Sequence, residues 1–119
     1  MIHRLFFGAV LAAWAGLGCA QTLEVRSGEH ADFTRLVIRL PDDTPWRLAQ
    51  DGRMAQLIVD GADIDFNTDT VFARIPRTRL EGLSQPDSGG VLQLALACNC
   101  PVSSFVEQGN YLVLDIGEA

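Results

Sequence analysis

Apolar and polar residues alternate in short runs along most of this chain, the period of two expected of β-strands with one buried face. The clearest run is Phe33 to Leu40, where Leu36, Ile38 and Leu40 alternate with Arg35, Val37 and Arg39. Leu23-Glu24-Val25-Arg26-Ser27 precedes it and stops at Gly28, with the polar turn Glu29-His30-Ala31-Asp32 between them. Pro41-Asp42-Asp43-Thr44-Pro45 reads as a turn, after which Trp46 to Ala49 alternates again. Asp51-Gly52 is a hairpin signal that returns the chain through Ala55 to Asp60.

Residues 62–77 carry the weakest pattern. Thr68-Asp69-Thr70 ahead of Val71-Phe72-Ala73-Arg74 predicts one capped helical turn, ended by Pro76. Arg79 to Leu83 is extended, Gln85 to Gly90 is a loop, and Val91 to Ala97 is the second strong strand. Val102 to Glu107 and Tyr111 to Ile116 form a hairpin through Gln108-Gly109-Asn110. The pattern thus predicts about eight short strands, at most one helical turn and no amphipathic helix of ordinary length. That is an all-β chain of the sandwich or barrel kind.

An internal echo narrows the choice. Leu92, Leu94 and Leu96 take the places of Leu36, Ile38 and Leu40; Pro101 falls where Pro45 fell; Leu112-Val113-Leu114-Asp115 answers Leu57-Ile58-Val59-Asp60. The expectation is a β-sandwich of two related, mostly antiparallel sheets with a pseudo-twofold internal repeat. In that reading each half forms one sheet, and the apolar faces of the two sheets pack together.

The beginning of the chain departs from the pattern. His3 and Arg4 precede an uncharged apolar run, Leu5 to Leu17, and Gly18-Cys19-Ala20 supplies small residues before Gln21. This predicts a secretory signal peptide over 1–20, cut after Ala20, with a run too short to span a bilayer. A lipid-modified Cys19 is a weaker alternative, because Leu17 stands one place too near the cysteine. The domain is then 21–119, in a periplasmic location and without a membrane span.

Charge excludes some partners. The chain has 15 acidic and 9 basic residues, a formal net charge of −6, and every basic residue is arginine. A general nucleic-acid surface is not expected. Of the 2 histidines in the chain, only His30 follows the leader. No HExxH, His cluster or GxSxG accompanies it, so no catalytic residue, metal or cofactor is expected. His30 reads as a solvated turn residue. The acidic pairs Asp42-Asp43 and Asp63/Asp65 lie in turns, where aspartate is ordinary. Asp60 and Asp115 end matching strands and are expected to accept backbone hydrogen bonds there.

Cys98-Asn99-Cys100-Pro101 is the most reactive-looking stretch. Export favours a disulfide between Cys98 and Cys100, although a bond between residues two apart closes a very small ring. A buried apolar pair continuing the leucine parity is the other reading. Two thiolates with no further soft ligand nearby make a poor metal site. For ligand binding, Arg35 and Arg39 share a parity opposite to Leu36, Ile38 and Leu40, and so stand on the outer face. With Arg26, Arg47 and Trp46 they would make a shallow surface for a polar, partly anionic polymer. Guanidinium forks suit carboxylates, and an aromatic ring suits a sugar face. An ordinary solvated sheet face with Trp46 buried is the competing reading.

Leu23-x-Val25-Arg26, Thr34-Arg35-Leu36-Val37-Ile38-x-Leu40 and Gln56-Leu57-Ile58-Val59-Asp60-Gly61, with the closing Tyr111-Leu-Val-Leu-Asp-Ile-Gly117, resemble the AMIN domain. That family occurs in the N-terminal parts of periplasmic N-acetylmuramoyl-L-alanine amidases and of type IV pilus secretins. The resemblance spans Thr22 to Gly117 and implies a β-sandwich that binds peptidoglycan without catalysing a reaction and positions its host in the envelope. The family's Thr-Arg strand motif maps onto Thr34 and Arg35, and its closing Val-Asp onto Val59 and Asp60. The second half departs, with Val91 answering Arg35 and a cysteine pair foreign to the pattern. The expected partners are peptidoglycan or envelope proteins. The alternatives are the N-terminal part of a cell-wall amidase without its zinc domain, and a docking module of a secretin or pilus assembly.

Overall fold

The computed structural model describes residues 21–61, 63–86 and 89–119; the leader predicted over 1–20 lies outside the described residues. The elements in order are β1 (Gln21–Glu29), β2 (Thr34–Arg39), β3 (Trp46–Asp51), β4 (Met54–Val59), β5 (Ile64–Asn67), α1 (Val71–Arg74), β6 (Leu80–Ser84), β7 (Val91–Leu96), β8 (Val102–Glu107) and β9 (Tyr111–Ile116). Eight of these strands lie where the alternation predicts them. β5 does not, because the sequence reading has no strand in 62–77. Ile64 and Phe66 are buried and alternate with Asp65 and Asn67, yet the run is only 4 residues long. So short a run among aspartates gives little periodic signal. β5 is fixed from outside instead, pairing in parallel with β1 from Gln21↔Ile64 to Glu24↔Asn67.

α1 forms where a helical turn is predicted, but Thr70 makes no side-chain cap bond. The Val71 N–H donates to the Thr68 carbonyl at 3.2 Å instead. The Ser27 hydroxyl donates to the Val71 carbonyl at 2.8 Å, which ties the turn to β1.

The strands make two sheets packed together, one ordered β5-β1-β2-β9-β8 and the other β3-β4-β7-β6. Apart from β1 with β5, the paired neighbours run antiparallel. The pairing corrects the expectation that each half of the chain forms its own sheet. β2 lies beside β9 and β4 beside β7, so both sheets mix strands from the two halves. Leu57 sits next to Leu92 in one sheet and Leu36 next to Leu114 in the other. Alternation says which face of a strand is buried; it says nothing about which strand lies beside it.

The inward residues of both sheets, with Val71 and Ile75, merge into one hydrophobic cluster. Its middle is made by Leu36, Ile38, Leu57, Leu92, Leu112 and Leu114, all fully buried. Gly90 joins three strands where they crowd together. Its N–H donates to the Ile64 carbonyl at 3.1 Å and its carbonyl accepts from the Val59 N–H at 2.8 Å. Its φ is +82°, and a Cβ there would collide with the Val59 carbonyl oxygen, so only glycine fits.

Candidate binding face

Because β2 buries Leu36 and Ile38, it must turn Arg35, Val37 and Arg39 outward. The neighbouring strands build a face around them. Arg26 on β1 lies opposite Val37. On the other side Arg35 meets Asp115, Val37 meets Val113 and Arg39 meets Tyr111. One strand further, Ser103, Phe105 and Glu107 continue the same rows. Three of the predicted ligand residues, Arg26, Arg35 and Arg39, therefore share the outer face of the five-stranded sheet.

They are not equivalent. Arg35 grips Asp115 with both arms, Nε to Oδ1 at 2.8 Å and Nη2 to Oδ2 at 2.9 Å. Its guanidinium also lies 5.1 Å from the centre of the Phe33 ring and 5.5 Å from that of Phe105. The Asp115 hydrogen bond raises the Arg35 pKa, partial burial opposes the rise, and the charges of Asp115 and Glu107 add to it. Arg35 is thus permanently charged and already committed to a carboxylate. The same contact corrects the reading of Asp115, whose carboxylate holds a guanidinium rather than a backbone N–H. Two residues at opposite ends of the chain meet here only because β2 and β9 are neighbours.

Arg39 and Arg26 are freer. The Arg39 guanidinium stands 5.8 Å from the Tyr111 ring centre. Arg26 touches Glu24 at 3.3 Å, but the two side chains are 78% and 55% exposed, so the contact is screened and worth little. These residues line a depression of about 330 Å³ with Thr22, Leu23, Val37 and Tyr111. Val37 and Tyr111 bring apolar and aromatic surface to it, and Arg26, Arg39 and Glu24 bring two guanidinium groups and one carboxylate. Val113 lies outward by alternation yet is only 2% exposed, since the side chains around it roof the middle of the face.

Trp46 and Arg47 do not join this surface, which corrects the expectation of one continuous site. They belong to β3, in the other sheet, paired with Val59 and Ile58 of β4. Trp46 is half-buried against the core. Both line a separate hollow of about 550 Å³ with Pro45, Ile58, Asp60 and Gly89. Nearness in sequence to β2 suggested a shared face; the Pro41–Pro45 turn carries the chain across to the second sheet instead.

Cys98 and Cys100 are joined as a disulfide with their Cα atoms 5.1 Å apart. Cys100 is buried in the core and Cys98 packs against it, so the pair is both a bond and a plug. His30 is exposed and stacks on Phe33 with ring centres 4.4 Å apart. Among the described residues, no three His, Cys, Asp or Glu side chains come together to hold a metal ion.

Sequence reasoning missed Phe33, Phe105, Tyr111 and Asp115 as members of the face. Their outward parity was legible, but their adjacency to β2 was not. It also missed Arg79, which lies between the sheets and is only 13% exposed. Its guanidinium donates to Glu29 at 3.0 Å, to the Ala31 carbonyl at 2.8 Å and to Glu118 at 3.3 Å. Those bonds fasten β6 to the turn between β1 and β2 and to the chain end, a structural duty. No protein-family model matches the chain, and neither does any curated protein or solved structure.

Proposed function

We propose that this chain is an exported, non-catalytic module of AMIN type that binds peptidoglycan in the periplasm and localises what it is attached to. The observation that carries the reading is the outer face of the five-stranded sheet. There Arg26 and Arg39 line a depression together with Val37 and Tyr111. Guanidinium groups beside an aromatic ring suit a glycan bearing carboxylated peptides: the forks take the carboxylates and the ring takes a sugar face. Arg35 serves differently from Arg39. Its fork is filled by Asp115, and it stiffens the face on which the freer arginines act.

The proposal extends to the architecture. β1-β2-β9-β8 and β6-β7-β4-β3 share one plan with the two halves of the chain exchanged, which supports a pseudo-twofold repeat whose copies have swapped strands. Only one copy carries the arginines, since Val91 and Ala95 stand in β7 where Arg35 and Arg39 stand in β2.

Co-sedimentation with purified sacculi tests the function. The wild-type protein is expected to pellet, and Arg26→Glu combined with Arg39→Glu to remain in the supernatant while keeping its circular dichroism spectrum. Wild type that fails to pellet, or a double variant that pellets as well, removes the reading. Recovery of an envelope protein without sacculus binding replaces it with a docking role.

A further inference from the structure

The sheet orders leave β5 and β8 at the edges of one sheet and β3 and β6 at the edges of the other. Open edges invite further pairing unless something guards them. β5 is short and guarded by Gln85, whose side chain accepts from the Phe66 N–H and donates to the Phe66 carbonyl, both at 2.8 Å. β6 is interrupted by a register shift between Leu80 and Gly82. β3 carries the charged Arg47 and Asp51.

Among the described residues, β8 is guarded only at its start. The Gln50 side chain donates to the Cys100 carbonyl at 2.7 Å and accepts from the Val102 N–H at 3.0 Å. Beyond that point the parity of the ladder decides what is free. The Gly117 N–H donates to the Pro101 carbonyl at 2.8 Å, so residues 101, 103, 105 and 107 turn their backbone groups toward β9. Ser104 and Val106 turn theirs off the sheet. The side chains agree with an unfinished edge. Among the described residues the exposed large hydrophobics are Met54, Phe105, Val106 and Tyr111, and two of these are on β8.

We propose that two copies of this chain pair β8 against β8, antiparallel, across a twofold axis at Phe105, joining their five-stranded sheets into one. In this register Ser104 and Val106 exchange N–H and C=O bonds with Val106 and Ser104 of the second copy. Phe105 faces its own counterpart in a non-hydrogen-bonded pair, the closer kind, where the rings can stack. Ser103 faces Glu107, so a hydroxyl donates to a carboxylate and no like charges meet. Gln50 excludes the neighbouring register toward the start of the strand. An axis at Ser104 would set Val102 against Val106, and the Val102 N–H is already given to Gln50. A second copy fits better than a foreign strand because the outward face of the edge, Ser103, Phe105 and Glu107, is complementary to itself. The proposal does not depend on what the arginine face binds.

Sedimentation equilibrium of the full chain tests it, with a dimer dissociation constant expected below about 0.1 mM, in the weak range usual for an interface of limited area. Val106→Pro removes an edge-facing N–H that β9 does not use. It is expected to weaken dimerisation at least about tenfold with an unchanged unfolding midpoint. Phe105→Cys is expected to cross-link two copies on a non-reducing gel, and Ser103→Cys, which faces Glu107, is not. This second assay stands even if Val106→Pro folds poorly. A dissociation constant above about 0.1 mM, a dimer indifferent to Val106→Pro, or a dimer in which Phe105→Cys does not cross-link overturns the proposal. So does a monomer whose β8 edge is taken by an added foreign peptide.

Discussion

β2 and β7 occupy matching places, each inside its sheet between two antiparallel neighbours. Inward they are nearly the same: Leu36 and Ile38 on one, Leu92, Leu94 and Leu96 on the other, all buried. Outward they diverge. β2 presents Arg35, Val37 and Arg39, while β7 presents Val91, Gln93 and Ala95. Their neighbours diverge with them. The outward residues of β2 meet Asp115, Val113 and Tyr111. Gln93 lies between Gln56 and Ser84 and donates to the Met54 sulfur at 2.9 Å. Around β2 the outer face is charged and aromatic; around β7 it is neutral and amide-lined, with the charges Arg47 and Asp51 confined to the edge strand β3 and Glu81 to β6. A shared core constrains the inward positions of both strands to the same volume and chemistry. Nothing constrains the outward positions alike, so specialisation collects there.

The largest test of this contrast is inside. Leu36→Ala and Leu92→Ala should each cost about 2–4 kcal/mol in urea unfolding, because each empties a fully buried site in one common core. A cost confined to one of the two would mean that the inward faces are not equivalent after all.

Outside, the strands should part. Asp115→Ala leaves the Arg35 fork without its carboxylate and should lower stability by roughly 1–2 kcal/mol, reduced by the partial exposure of the pair. The sign of its pH dependence follows from the raised Arg35 pKa. A cation with a raised folded pKa contributes fully below its unfolded value and loses that contribution only as pH climbs through the folded one. For arginine both lie far above neutrality, so the deficit of Arg35→Met relative to wild type should be flat between about pH 7 and 9. A deficit that shrinks over that interval would show that Arg35 is not held as described.

A smaller effect separates the two outer faces by binding. Arg26→Glu with Arg39→Glu should weaken sacculus binding about tenfold, near 1.4 kcal/mol. Val91→Glu with Gln93→Glu, adding the same kind of charge to the other face, should leave binding unchanged; equal losses would point to net charge rather than a site. The least effect is expected from Gln93→Ala, within about 0.5 kcal/mol by thermal unfolding, since its bond to Met54 is exposed.

Much of the fold could be read before the structure. The alternation in Phe33–Leu40 and Val91–Ala97 locates both central strands and assigns their inward leucines correctly. Asp51-Gly52 marks a real hairpin, with Gly52 at φ +61°. The outward parity of Arg35 and Arg39 is correct as well. Apart from the missing side-chain cap at Thr70, what failed was a question of neighbours. β5 needed β1 beside it to be a strand, and Trp46 with Arg47 were given to the wrong sheet. Asp115 was read as a local strand-end acceptor when its partner lies on β2.

The division has a physical cause. Strand, turn and facing are local properties: the period of side chains along an extended backbone and the φ demands of a few turn residues set them, and both are written in consecutive residues. Pairing is not local. Many of these short strands bury similar leucines and valines, so the hydrophobic gain barely distinguishes one neighbour from another. The choice of β9 for β2 and of β7 for β4 belongs to the packed whole. With it came the Arg35–Asp115 fork, the depression beside Tyr111 and the open edge of β8.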